Sequence, residues 1–141
     1  MELYMSKVTI HFKVNVLVDV IPTVFTYENE EGIVTDGSAT TFVGDETTII
    51  YTLNNSIKKT LLSFLEPVII GNFQGDVSYD VTTVPDNGKF KDNTLIITDK
   101  GNSAESIGLR LIVQSTVTDG KEVSIQKFAS PDPQIRSRYR D

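Results

Sequence analysis

Carboxylates are the side chains with possible chemistry that cluster most clearly in this sequence. Between Lys13 and Lys58 there is no basic residue, and the acidic residues there are Asp19, Glu28, Glu30, Glu31, Asp36, Asp45 and Glu46. Carboxylate oxygens in loops bind calcium, although the spacing here does not match the EF-hand loop. A calcium- or carbohydrate-binding module that uses the acidic loops of residues 28–46 is therefore one alternative.

Groups for covalent or metal-assisted catalysis are scarce. The chain has no cysteine and a single histidine, His11, which excludes thiol catalysis and a zinc site of thiolates or several histidines. It has no Gly-x-Ser-x-Gly elbow, phosphate loop or Gly-x-Gly-x-x-Gly motif. We therefore expect a protein that is not an enzyme and has no catalytic residue, metal or cofactor. A carboxylate-dependent hydrolase is the weakest alternative, because it needs two acids facing each other in a pocket.

The last residues of the chain carry the opposite charge, with three arginines at alternate positions: Arg136, Arg138 and Arg140. Charge runs are usually solvated, so we expect residues 130–141 to be a disordered, proline-containing, arginine-rich tail after a domain of residues 1–129. The alternative is an arm that binds the acidic stretch of another copy or of another protein, with contacts at Glu28, Glu30, Glu31 and Asp36. Protein binding or self-assembly is the function that the sequence favours.

The overall charge limits the class of partner. Lysine and arginine number 13 against 19 acidic residues, which gives a net charge of −6. Phosphate binding depends on clustered basic residues, so we expect no nucleic-acid partner. The chain has no apolar stretch long enough for a membrane helix and no basic start typical of a signal peptide, so we expect no membrane contact and a cytoplasmic location.

The stretch of residues 8–20 is the clearest structural element that positions these groups. Every second residue in it is apolar: Val8, Ile10, Phe12, Val14, Val16, Val18 and Val20. A period of two with β-branched and aromatic side chains predicts a strand with one face on a core and one in water. His11 is therefore expected on the face opposite Phe12, exposed or paired with a neighbouring strand.

Turn signals divide the rest of the chain at intervals of about ten residues, among them Pro85-Asp86-Asn87-Gly88 and Asp119-Gly120. Asp119-Gly120 fits the two-residue turn of a hairpin, and residues 123–128 are predicted to be its return strand. Seven to nine strands with this spacing predict an all-β fold, an immunoglobulin-like antiparallel β-sandwich, with a jelly roll or small barrel as the alternative. A helix competes only in residues 54–65. There we favour irregular or strand structure with at most one helical turn.

The segment Ser130-Pro131-Asp132-Pro133-Gln134-Ile135 resembles the small bacterial proteins of the DP-EP family, named for Asp-Pro and Glu-Pro dipeptides. The matching positions are Asp132-Pro133 and Glu66-Pro67. The resemblance implies an immunoglobulin-like sandwich of uncharacterised role with no established active site. It transfers no catalytic residue to this chain.

Overall fold

The computed structural model describes residues 6–18, 20–54, 60–87, 89–131 and 133–140, with the backbone alone at Asp86. This part of the chain forms strands, and it has no helix that is long and apolar enough to cross a membrane. The strands are β1 Ser6–Leu17, β2 Val24–Glu28, β3 Val34–Thr35, β4 Ala39–Phe42, β5 Asp45–Leu53, β6 Thr60–Phe64, β7 Val68–Ile70, β8 Val77–Asp86, β9 Lys89–Asp99, β10 Ser106–Arg110, β11 Ile112–Asp119, β12 Glu122–Ala129 and β13 Gln134–Arg138.

Six strands form the first layer, in the order β3-β2-β1-β5-β9-β8. The inward side chains of β1, Phe12, Val14 and Val16, are buried, whereas His11 on the opposite face is exposed. The predicted period of two is therefore confirmed for the second half of this strand. Val8 and Val20 are exposed instead of buried, and β1 ends at Leu17, before the end that the sequence predicted.

The second layer consists of two sheets. Three long extended segments of the chain contribute one strand to each of them. A four-stranded sheet has the order β4-β13-β10-β7, and a three-stranded sheet has the order β12-β11-β6. β6 precedes β7, β10 precedes β11 and β12 precedes β13 in the chain. Each of these three long strands is therefore broken where it passes from one sheet to the other.

The two dipeptides on which the resemblance rests fall at these breaks, and of the second only Pro133 lies in the described part of the chain. Glu66-Pro67 lies between β6 and β7, and Pro133 directly precedes β13. Proline has no N–H to donate to a neighbouring strand, so a regular ladder cannot run through it. Backbone hydrogen bonds to neighbouring strands continue next to the breaks. The Leu109 N–H donates to the Pro133 carbonyl and the Leu65 N–H to the Ile112 carbonyl, each at 2.9 Å. The two prolines thus mark the line along which the layer changes sheets.

Side chains from all three sheets meet in one apolar core. Tyr51 and Leu95 of the first layer are fully buried there, together with Phe64 and Ile135 of the second. Two β-layers around a shared core confirm the predicted β-sandwich, and the described strands close no barrel. The immunoglobulin-like topology stays a prediction.

The sheets differ from the predicted ones in two respects. The pairings of β1 with β5 and of β4 with β13 are parallel, so the sandwich is not purely antiparallel. Parallel neighbours need a crossover, and the chain makes one by placing β4, between β3 and β5, in the second layer. The breaks in the long strands also raise the number of described strands to thirteen.

The prediction of a disordered terminus is wrong for Gln134–Arg138. This segment is β13, which lies between β4 and β10. Ile135 is fully buried, and Ser137 is also buried, whereas the arginines between and after them are exposed. The alternating arginines, which suggested a solvated tail, are the outer face of a half-buried strand.

The segment in which a helix competed contains a strand. Thr60–Phe64 is β6, and its side chains Leu62 and Phe64 are buried. This confirms strand structure there and excludes a helix that continues to Leu65. Residues 55–59, which also belong to this prediction, lie outside the described part of the chain.

Candidate functional site

The predicted acidic residues Glu28, Glu30 and Glu31 lie together at a cleft. Glu28 ends β2, and the other two lie in the turn that leads to β3. The cleft has a volume of about 590 Å³ and separates this turn from the outer face of β1, where it is lined by His11 and Lys13. Acidic and basic side chains therefore line the same cleft.

Asn29 fixes the turn that forms one wall of the cleft. Its Oδ1 accepts hydrogen bonds from the N–H groups of Glu31 and Ile33, at 3.0 and 2.9 Å. The Asn29 N–H in turn donates to the Ile33 carbonyl at 2.9 Å. Because the asparagine side chain bonds to the backbone of its own turn, the wall has one preferred conformation.

The cleft has the volume of a small-molecule site, but its described lining shows neither a cluster of metal ligands nor an exposed aromatic ring. In the described ranges, no three His, Asp or Glu side chains lie where they could hold a metal ion. Phe12 is the aromatic residue among those that line the cleft. Its ring is buried and stacks on Tyr51 with centroids 5.3 Å apart, so a sugar cannot stack on it.

Asp36 and Arg136, which the sequence assigned to opposite sides of a contact, interact in the same chain. The Ser38 N–H donates to Asp36 Oδ1 at 2.9 Å. This bond is the main reason why the pKa of the Asp36 carboxyl lies below its usual value, and the positive charge of Arg136 lowers the pKa further. Asp36 is not among the residues that line the cleft with Glu28, Glu30 and Glu31.

Arg138 and Arg140 lie against the ring of Phe42. Their guanidinium carbons are 5.4 and 4.5 Å from the ring centroid, within the range of a cation–π interaction. Arg140 also forms an ion pair with Asp45, whose side chain is 7% exposed. This arginine makes its ionic contact inside its own chain. Binding of the tail to a second copy stays a prediction.

A further surface is the open edge of β12, which pairs only with β11 in the described structure. The two strands form a hairpin in which Asp119 faces Glu122, so its central residues are Gly120 and Lys121. Of these, only Gly120 has a positive φ, at 60°, as in a type II′ turn. The predicted hairpin is confirmed, with the turn one residue later than the sequence indicated.

Two backbone hydrogen bonds establish which groups of the hairpin point outward. The Ile112 carbonyl accepts from Leu65, beside β6, whereas the Leu111 carbonyl accepts from Ser130, at the end of β12. Because these groups alternate along a strand, the odd-numbered residues of β11 face β12. In the observed register their partners are the even-numbered residues of β12. The N–H and C=O groups left at the open edge are those of Val123, Ile125, Lys127 and Ala129.

The side chains of β12 are exposed as well. Val123 and Ile125 are 59% and 58% exposed, and they lie on the outer face opposite Thr118 and Thr116 of β11. Lys127 is the charged side chain of β12 on this face. Branched apolar side chains and outward-pointing backbone groups therefore occur along one edge.

The other edges of the described sheets are short or interrupted. β3, β4, β6 and β7 have two, four, five and three residues. β8 has ten residues and pairs regularly with β9 from Val77 to Val84, but it ends in an irregularity at Pro85. Short strands, bulges and prolines prevent pairing between sheet edges. β12 has eight residues and, in its register with β11, no bulge. It is the edge best suited to accept a further strand.

Sequence reasoning identified this segment as the return strand of a hairpin but did not select it as a site. The available signal was the alternation of apolar Val123 and Ile125 with Ser124 and Gln126. Alternation predicts a strand with one apolar face, but it does not tell whether another strand lies beside it. That depends on β4, which covers β13 and leaves β12 open.

Comparison with known proteins gives a family and no characterised relative. No curated protein matches the chain. The model of the DP-EP family matches residues 7–139, a range that includes every described strand except the first residue of β1. Both Glu66-Pro67 and Asp132-Pro133 lie within it. This chain therefore belongs to the DP-EP family.

Proposed function

We propose that this protein is a non-enzymatic β-sandwich domain that binds another polypeptide through the open edge of β12. The observation that supports the proposal is an eight-residue edge strand with no neighbour on one side in the described structure. An extended segment added there makes main-chain hydrogen bonds to Val123, Ile125 and Lys127. The exposed side chains of the same residues then select the segment.

Both kinds of contact are needed for useful affinity. The outward N–H and C=O groups are solvated in the free protein, so each new hydrogen bond contributes only about 0.5–1.5 kcal/mol. Fully burying a valine or isoleucine side chain contributes about 1.5–3 kcal/mol. Val123 and Ile125 are therefore expected to determine how tightly a segment binds.

The arginines support an intermolecular contact less well than β12 does. Arg140 is engaged by Asp45 and Phe42 of its own chain, so a partner would have to replace those contacts. Among the described residues, no other strand pairs with the outer edge of β12, so the backbone groups there give up only water. For this reason we place the binding surface at β12 and not at the carboxyl terminus.

A synthetic peptide of eight alternating threonines and valines, with a terminal lysine for solubility, tests the proposal. Strand addition uses the main chain, so we expect the peptide to shift the amide resonances of Val123, Ile125 and Lys127 until they saturate. A peptide that is N-methylated throughout lacks the donors and serves as the control. It should not shift these resonances.

The variant Ile125→Pro distinguishes loss of binding at the edge from loss of the fold. The Ile125 N–H points away from β11, so a proline there removes an edge donor and leaves the bonds of the hairpin in place. We expect it to abolish binding of the peptide, whereas Ile125→Thr, which keeps the N–H, weakens binding several-fold. Equal binding to wild type and Ile125→Pro, or shifts at another edge, would refute the proposal.

A small-molecule module is the second candidate function, favoured by the cleft that gathers Glu28, Glu30 and Glu31 beside His11 and Lys13. A ligand that binds the folded state raises the melting temperature. Melting curves with calcium and with a panel of glycans test this candidate. A midpoint that rises with one of them supports it, and unchanged midpoints reject it.

A further inference from the structure

We infer that the strand which completes this edge is β12 of a second copy, antiparallel, with Ile125 facing the partner's Ile125 across a two-fold axis. The inference rests on the proposed function, because it uses the same edge and names the occupant. It also specifies the register in which the two β12 strands pair, which the proposed function does not.

The register follows from the direction of the backbone groups. Around a two-fold axis at Ile125, Val123 faces the partner's Lys127, and Lys127 faces the partner's Val123. All of these residues point their N–H and C=O groups outward, as derived above from the bonds of Leu65 and Ser130. Each facing pair then exchanges both of its N–H···O bonds, as hydrogen-bonded pairs of an antiparallel ladder do. Nearly the whole length of β12 is paired in this way.

The facing side chains disfavour the two neighbouring registers. With the axis at Ser124, Lys121 faces the partner's Lys127, and like charges directly opposite each other destabilise a pair of strands. With the axis at Gln126, Ile125 faces the partner's Lys127 and not another apolar side chain. With the axis at Ile125, each Lys127 instead lies beside a valine, along which its aliphatic chain can pack.

The same register covers the exposed apolar side chains of the edge. Ile125 meets its own copy on the outer face, and Val123 is flanked by a lysine stem. The three-stranded sheet β12-β11-β6 then continues into the sheet of the second copy. The combined six-stranded sheet has the order β6-β11-β12 in one copy, followed by β12-β11-β6 in the other. A symmetric contact of this kind closes on itself and leaves β12 of neither copy open.

Single cysteines test the register directly, because the chain has no cysteine of its own. Facing residues of a hydrogen-bonded pair have Cα atoms about 5.5 Å apart, within the roughly 4.4–6.8 Å that a disulfide spans. Oxidised Ile125→Cys is therefore expected to form a covalent dimer. In Val123→Cys the two cysteines are displaced by four residues, or about 13 Å, so this control should stay uncrosslinked.

Sedimentation equilibrium of the reduced proteins provides the second measurement. Wild type should show twice the 15.6 kDa of one chain at high concentration. Ile125→Lys places two like charges on the axis and should return the mass to that of one chain. Thr118→Lys adds the same charge to the outer face of β11, away from the edge, and should keep the dimer. Circular dichroism melts establish that both variants fold.

The outcomes separate this inference from the proposed function. If wild type stays a monomer but the threonine-valine peptide binds β12, the edge accepts strands and the second copy is not the occupant. If wild type is a dimer that Ile125→Lys does not dissociate, the inference is overturned as well. Equal crosslinking of Ile125→Cys and Val123→Cys overturns the register. A monomer that binds no peptide at β12 overturns the inference and the proposed function together.

Discussion

Leu111 and Ser130 are joined by two hydrogen bonds at the point where two long strands change sheets. The Leu111 N–H donates to Ser130 Oγ, and the Ser130 N–H donates to the Leu111 carbonyl, each at 2.9 Å. Both residues are fully buried. Leu111 lies between β10 and β11, and Ser130 follows β12 directly. A serine side chain thus provides the acceptor that a regular ladder would have supplied.

Removing that acceptor should destabilise the fold. In Ser130→Ala the buried Leu111 N–H has lost its partner, which costs about 1–3 kcal/mol. Urea unfolding measures the change in the free energy of unfolding. Ser124→Ala, on the exposed strand β12, is the matched control and should change it by less than about 0.5 kcal/mol. Equal effects of the two substitutions would contradict a structural role for Ser130.

Tyr51 should make the protein less stable in alkali. Its buried hydroxyl donates to the Gly37 carbonyl at 2.7 Å, and burial raises the pKa of this phenol far above its usual value of about 10. Above that pH the unfolded chain loses the phenol proton and the folded chain keeps it, so stability falls as pH rises. Tyr51→Phe should cost about 1 kcal/mol at neutral pH and flatten the decline of stability between about pH 9 and 11. An unchanged decline would contradict this assignment.

Gly101 should tolerate no larger residue. Its φ is +75°, and a Cβ there would lie 1.9 Å from the Asp45 carbonyl oxygen, which is part of the backbone and cannot yield. We expect Gly101→Ala to cost roughly 2–4 kcal/mol, from backbone strain and steric overlap together. Gly120 also has a positive φ, but a Cβ there would meet nothing within 4 Å. Gly120→Ala should therefore lose about 1 kcal/mol of folding stability, from backbone strain alone. Thermal melts compare the two variants, and equal losses would refute the steric explanation.

The arginine at the end of the chain should stabilise the fold only modestly. Arg140→Ala leaves the carboxylate of Asp45 without its ion pair and removes a cation–π contact with Phe42. Because the arginine side chain is 60% exposed, water and salt screen the pair, and we expect a loss of about 1 kcal/mol or less. Arg140→Lys keeps the charge and should recover part of it. A loss that persists unchanged at high salt would show that the charge is not responsible.

Local pattern predicted the strands and the sandwich, because a period of two sorts side chains directly into buried and exposed faces. Phe12 and His11 lie on opposite faces of β1, as their positions in the alternation required. The same rule applies to β13, where Ile135 and Ser137 point inward. The arginines between them have the spacing of a solvated charged tail, so the sequence predicts disorder where the structure has a strand.

The candidate site depends on contacts that local pattern does not encode. Glu28, Glu30 and Glu31 are neighbours in sequence, so their grouping at one cleft was predictable. The ion pair of Arg140 with Asp45 follows from the parallel pairing of β13 with β4, two segments that are far apart in the chain. The open edge of β12 is likewise a property of strand order, since it exists where β4 covers only β13.

Hydrogen exchange resolved to single amides of β12 decides whether the protein associates at this edge. At low concentration the amides of Val123, Ile125 and Lys127 should exchange freely, whereas those of Ser124 and Gln126, bonded to β11, should be protected. As concentration rises and the mass doubles, the three edge amides should become protected and this alternation should disappear. Edge amides that still exchange freely when the mass has doubled would contradict the claim that two copies of this protein associate through β12.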